Sequence, residues 1–148
     1  MPANDYETTA VYTIHQNKVS GTVYPVYDTG ISLDNKAGFS VSYNGKTVTT
    51  TADGKFSFGP FVYGTKSDLT ISKTGYTTVT LENVAVDPDS EKVIPQSDST
   101  ISAIYYTITY NKGAEDARGE MLAQTVWYDV ETQLSTLGFT YTNFEFTK

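Results

Sequence analysis

His15 is the sole histidine in a chain of 148 residues, and there is no cysteine beside it or anywhere else. A nucleophilic triad needs an imidazole oriented by an acid, and a zinc centre needs three or four nitrogen or thiolate ligands. With no acid within four positions, His15 meets neither requirement and is read as a structural residue on the strand face opposite Tyr12 and Ile14. Asp87, Asp89 and Glu91 alternate and offer oxygen donors, but they lack the D-x-D-x-D-G spacing of a calcium loop. A solvated connection accounts for them. Glu115-Asp116 and Asp129 with Glu131 form acid pairs, yet glycoside hydrolysis needs two carboxyl groups facing across a sugar cleft, roughly 5–10 Å apart. Nothing in the pattern brings them together. The G-x-S-x-G elbow, phosphate-cradling glycine loops and zinc motifs are absent. No catalytic residue, metal ligand or cofactor is therefore expected, and an enzyme is the class with least support.

Aromatic side chains remain as recognition candidates. Trp127, the only tryptophan, alternates with Val126, Tyr128 and Val130, which places it on the other side of a strand. There it forms a platform for a sugar or a protein partner, or it covers a sheet face against a neighbouring module. Tyr105 lies on a comparable outward face, and the same two roles are open to it. Tyr24 and Tyr27 flank Pro25 in a loop.

These residues need β-structure to hold them. Twelve Tyr, seven Phe and many Thr suit pleated surfaces, and charged residues at 18% with aromatics at 14% belong to a chain that folds. The net charge of −7 comes without a basic patch, so neither nucleic acid nor anionic lipid is an expected partner. No apolar run approaches the roughly 20 residues that span a bilayer. Met1-Pro2-Ala3 lacks a signal-peptide start, so an exported protein would contribute this chain as an excised segment.

Phe39, Val41 and Tyr43 alternate with Ser40 and Ser42, and Phe56 and Phe58 flank Ser57, as in half-buried strands. Asn44-Gly45 and Asp53-Gly54 are hairpin signals, which predicts a three-strand meander from Phe39 to Phe58. Tyr12 and Ile14, then Val19 and Val23, supply edge or first strands; Leu69 with Ile71 and Val79 with Leu81 supply later ones. About seven short strands suit a small sandwich, with a core of Val23, Phe39, Val41, Val48, Phe56, Phe58, Leu69, Ile71 and Val79. Pro, Ser and charge between Asp87 and Ser99 read as an interdomain connection, with a boundary near residue 97. Beyond it, strands are expected over Ile104–Tyr110, Val126–Val130 and Phe139–Phe146, with short helical candidates at Ala114–Ala123 and Glu131–Thr136.

Lys18-Val-Ser-Gly-Thr-Val-Tyr, the run Val41 to Phe58 with its T-x-D-G-x-F turn, and Leu69-Thr-Ile-Ser-Lys-Thr-Gly-Tyr together resemble carboxypeptidase regulatory-like and collagen-adhesin B-type modules. That resemblance implies a prealbumin-like sandwich. Some collagen-adhesin modules carry an isopeptide bond from a first-strand Lys, a role that would fall to Lys18, but Lys73 stands where the proton-shuttling acid belongs. Tyr106-Thr-Ile-Thr-Tyr-Asn-Lys-Gly, Gly119 to Tyr128, and Phe139 to Lys148 resemble the Listeria-Bacteroides repeat, which implies a β-grasp-like module. Asn143-Phe144 replaces that family's Gly-Tyr, and its usual continuation with Trp is missing after Lys148, implying truncation.

The expected fold class is thus all-β: a prealbumin-like sandwich over 1–97 followed by a small β-grasp-like module over 98–148. Both resemblances imply a non-catalytic structural or adhesive pair from a larger bacterial cell-surface or secreted protein. Its partners would be neighbouring modules of the same polypeptide, host protein or glycan. The alternative is a carbohydrate-binding accessory module of a secreted multidomain enzyme or adhesin, with Trp127 and Tyr105 in its site.

Overall fold

A computed structural model describes residues 12–141. Twelve strands and one short helix follow in order: β1 Gln16–Thr22, β2 Tyr24–Tyr27, β3 Ile31–Ser32, β4 Ser40–Tyr43, β5 Lys46–Thr49, β6 Lys55–Val62, β7 Lys66–Ser72, β8 Val79–Ala85, β9 Lys92–Val93, α1 Gln96–Ser99, β10 Thr100–Ser102, β11 Tyr105–Ile108 and β12 Gln124–Trp127. The described chain is all-β apart from the four residues of α1.

One face of the sandwich is the antiparallel sheet β5-β4-β7-β8. Period-two alternation decides which side chains point inward: Val41 and Tyr43 on β4 and Leu69 and Ile71 on β7 are buried, while Ser40, Ser42, Thr70 and Ser72 are less so. The opposite face is β6-β1-β9, continued by β10-β2-β3. Only Val23 separates β1 from β2, and its amide bonds to the Gly54 carbonyl at 2.9 Å. The N-terminal strand therefore runs the length of this face with one break. It pairs antiparallel with β6 but in parallel with the returning chain, Val19 opposite Lys92 and Tyr24 opposite Thr100.

Between the faces lie Val19, Val23, Phe39, Val41, Tyr43, Phe56, Phe58, Leu69 and Ile71, joined by Tyr76, Val86, Ile94, Ile101 and Ala103. Tyr43 packs edge-on against Phe61 with centroids 5.3 Å apart, and its hydroxyl donates to the Val84 carbonyl at 3.0 Å. Burying the ring removes water from apolar area while that bond satisfies its one polar atom. Val48 and Val79, expected in the core, are partly buried and pack against its edge.

Several sequence expectations change, while one hairpin holds. Asn44 and Gly45 take positive φ of 46° and 71° and close the β4–β5 hairpin as expected. Asp53-Gly54 does not continue a meander: β6 leaves for the opposite sheet and pairs with β1. Gly54, at φ 79°, is needed there because a Cβ would sit 2.7 Å from the Val23 carbonyl oxygen. Tyr12 and Ile14 lie before the first strand, 87% and 66% exposed. Gln96–Ser99 is helical, whereas neither segment proposed as helical, 114–123 or 131–136, is.

The stretch expected to connect two domains joins the sandwich instead. Ile94 is buried and its amide bonds to the Ser20 carbonyl at 2.8 Å. Ile101, beyond residue 97, is fully buried in the same core. Asp87 pairs with Lys92 at 3.9 Å, and among the described residues no cluster of acids or His is arranged to hold a metal. Lys18 is exposed on β1, which keeps it from the dry surroundings an isopeptide bond requires.

Candidate functional site

The chain leaves the sandwich at Ala103 and at once forms an antiparallel ribbon, β11 with β12, in which Tyr105 lies opposite Trp127 and Thr107 opposite Thr125. Two-stranded ribbons are marginal by themselves, so its contacts with the sandwich decide its position. Backbone bonds form the first seam. The Ile104 amide donates to Gly75 O at 2.9 Å, the Tyr128 amide to Ile104 O at 3.0 Å, and the Thr77 amide to Ser102 O at 2.9 Å.

Side chains form the second seam. Tyr128 follows the end of β12 and its ring covers Gly75, where no Cβ can be accommodated. It meets Tyr76 edge-on with centroids 5.9 Å apart, and Tyr76 in turn meets Phe39 at 4.9 Å. The Tyr76 hydroxyl donates to Asp129 Oδ2 at 3.1 Å. Lys73 Nζ lies 3.8 Å from the same oxygen, 3.1 Å from the Ala37 carbonyl that accepts its proton, and 4.7 Å from the centre of the Phe39 ring. Burial, and then the hydrogen bond and charge of Asp129, raise the Tyr76 phenol well above its ordinary value. Asp129 has φ 58°, so the chain reverses there and turns its carboxylate back toward the sandwich. As one of the acids weighed for glycoside hydrolysis, Asp129 is thus engaged by Lys73 and Tyr76.

Trp127 and Tyr105, the two residues singled out for recognition, are brought together. Their rings lie 5.1 Å apart at 57°. Trp127 also meets Tyr27 at 6.3 Å, so it is half-buried between two tyrosines, whereas Tyr105 is 60% exposed. The strand alternation expected to continue through Val130 ends at Trp127, which frees Tyr128 to turn toward Gly75. Asp28, in the turn after Tyr27 with φ 49°, lines a cavity of about 410 Å³ with Tyr105, Thr125 and Trp127. Sequence spacing had no means of finding Asp28, which lies almost a hundred positions from Trp127. Tyr24 is a strand residue, with Lys36 Nζ 5.3 Å from its ring centre. His15 is exposed, and its carbonyl accepts a bond from the Tyr63 amide at 2.9 Å.

β11 is a shorter form of the strand expected over 104–110, whereas β12 begins two residues before the strand expected over 126–130 and ends at Trp127. Of Phe139–Phe146, residues 142–146 lie outside the described part, and Thr140 forms a single bridge with Arg118.

No family model matches this chain, and no curated protein matches it. Among solved structures it is similar to a chain of the Coh3ScaB–XDoc_M2ScaA complex, a C-terminal interface mutant of a type II cohesin–X-dockerin complex from Acetivibrio cellulolyticus. Identity is 27%, TM-score 0.46, and coverage 59% of this chain and 58% of that one. The N-terminal interface mutant of the same complex gives 28% identity, a TM-score of 0.44 and the same coverage. The alignments therefore span little more than half of each chain.

Proposed function

We propose that this chain is a non-catalytic structural and protein-interaction segment of a larger bacterial cell-surface or secreted protein, carrying tension between neighbouring modules. The observation that supports it most is the parallel pairing of β1 with β9 and of β2 with β10. Tension entering before Gln16 acts at the start of β1, and tension entering after Ser102 acts at the end of β10. Parallel strands pulled from opposite ends are loaded in shear, so their hydrogen bonds must fail together instead of one by one. The ribbon, docked through Asp129 and Tyr128, transmits the pull into the sheet. The resemblances to carboxypeptidase regulatory-like modules and to the Listeria-Bacteroides repeat favour the same reading, a prealbumin-like sandwich followed by a β-grasp-like element.

Single-molecule force spectroscopy tests it. The chain has no native cysteine, so attachment points can be introduced singly. Pulled from its termini, the sandwich is expected to unfold at several times the force needed when handles are placed at His15→Cys and Glu91→Cys. That second geometry opens the β1–β9 pairing from one end. Equal forces in both geometries would remove the mechanical reading.

A further inference from the structure

We propose that the cleft between the ribbon and the β2–β3 turn binds a neutral oligosaccharide, with Tyr105 and Trp127 as its floor and Asp28 and Thr125 as its hydrogen-bonding wall. The inference goes beyond the mechanical role and does not depend on it.

The ribbon's register is the starting point. Tyr105 and Trp127 are a directly opposed pair, so both rings rise from one face of the ribbon, and Thr107 and Thr125 continue that face as the next same-side pair. The face is therefore two aromatic rings followed by two hydroxyls. Tyr105 keeps 60% of its surface in water while its ring is held by contact with Trp127, itself fixed by Tyr27. Such a ring is exposed yet ordered, which lowers the entropy lost when something stacks on it.

The chemistry of the lining selects the ligand. Pyranose rings present a face of weakly positive C–H bonds and an edge of hydroxyls. The C–H face suits the negative face of an aromatic ring, and the hydroxyls suit a carboxylate and a threonine. Asp28 accepts only, and a hydrogen bond to an ionised acceptor is stronger than one to a neutral group. Among the described residues, the ion pairs are Lys73–Asp129 and Lys92–Asp87, which leaves the Asp28 carboxylate to the cleft. No Lys or Arg lines it, and with a net charge of −7 acidic sugars would be repelled. A cationic side chain is the rival occupant, since it also stacks on aromatic rings. The neutral ligand is favoured because the Thr125 hydroxyl, which both donates and accepts, provides a partner for ligand hydroxyls, and a single exposed acid gives a cation little compensation for lost hydration. The volume of about 410 Å³ falls within the roughly 300–1,000 Å³ of small-ligand sites.

Trp127 is the only tryptophan among twelve tyrosines, so emission excited selectively at tryptophan reports on this cleft. Cellohexaose, xylohexaose and maltohexaose serve as neutral polysaccharide probes, lacto-N-neotetraose as a probe of animal-type glycans, hexagalacturonic acid as the acidic control and hexalysine as the cationic rival. Saturable change is expected with at least one neutral probe, and which one responds separates the two glycan sources. Affinity is expected to fall about tenfold in Tyr105→Ala through lost stacking and by a similar factor in Asp28→Asn. Both positions are exposed, and unchanged far-ultraviolet circular dichroism verifies that the variants remain folded. Saturation by hexalysine alone, an unchanged affinity in Tyr105→Ala, or no response to any neutral probe at millimolar concentration would each overturn the proposal.

Discussion

The Tyr128 ring lies directly against the Cα of Gly75, leaving no space for a side chain between the ribbon and the sandwich. A hydrogen at position 75 is therefore what allows the two parts to meet, and the positive φ of 84° at the same residue makes glycine doubly suited.

Gly75→Ala should displace Tyr128 and loosen the ribbon. The overlap costs about 1–3 kcal/mol and the left-handed backbone roughly 1 kcal/mol more. In a urea titration followed by Trp127 fluorescence, an early transition should separate from global unfolding. A single transition at the wild-type midpoint would show that the seam contributes nothing.

Alkaline pH should weaken the fold through its buried phenols. The Tyr76 pKa is raised by burial and by Asp129, and that of Tyr43 by burial, both from an ordinary value of 10.0. Above that value the unfolded chain releases protons that the folded chain retains, so the stability they contribute is intact below pH 10 and declines as pH rises further. Each phenol contributes a slope of up to about 1.4 kcal/mol per pH unit. Urea midpoints at pH 9 and pH 11 should diverge, and Tyr76→Phe should reduce the divergence.

A fragment ending at residue 97 should fold poorly, whereas one ending at residue 103 should retain a cooperative sandwich. The shorter chain lacks β10, Ile101 and Ala103, which close the core between β2 and Tyr76. Ile101→Ala in the full chain should by itself cost about 2–5 kcal/mol, measured by thermal or urea denaturation.

Lys73→Met should test how the seam uses charge. The substitution keeps the apolar stem beside Phe39 but removes the cationic partner of Asp129 and the bond to the Ala37 carbonyl. Both side chains keep partial contact with water, 20% and 32% exposed, so the loss should stay near 1 kcal/mol or below and diminish in high salt. A loss above about 3 kcal/mol would mean that the pair acts as a buried one.

The strands that alternate cleanly were legible in the sequence. Phe39, Val41, Tyr43, Phe56, Phe58, Leu69 and Ile71 all point inward because a two-residue period assigns faces without reference to the rest of the chain. Partner choice was not legible. Asp53-Gly54 signals a turn equally well whether the next strand pairs with its predecessor or crosses to the other sheet, and here it crosses. Ile101 and Ala103 were obscured by the polar run before them, since composition marks solvent exposure only on average. Trp127 and Tyr105 were legible as outward aromatics, but their contact depends on ribbon register, and Asp28 joins them only through the tertiary fold.

The parallel pairing of the first strands also sets the order of folding. β1 and β2 find their parallel partners more than seventy residues later, while β5-β4-β7-β8 consists largely of close sequence neighbours joined by tight turns. Closing the longer loops costs more chain entropy, and distant pairings slow folding. On a ribosome β1 therefore lacks its parallel partner until residue 93 has emerged, and β2 until residue 102. The neighbouring sheet has by then been able to assemble and offers its apolar face as their shelter.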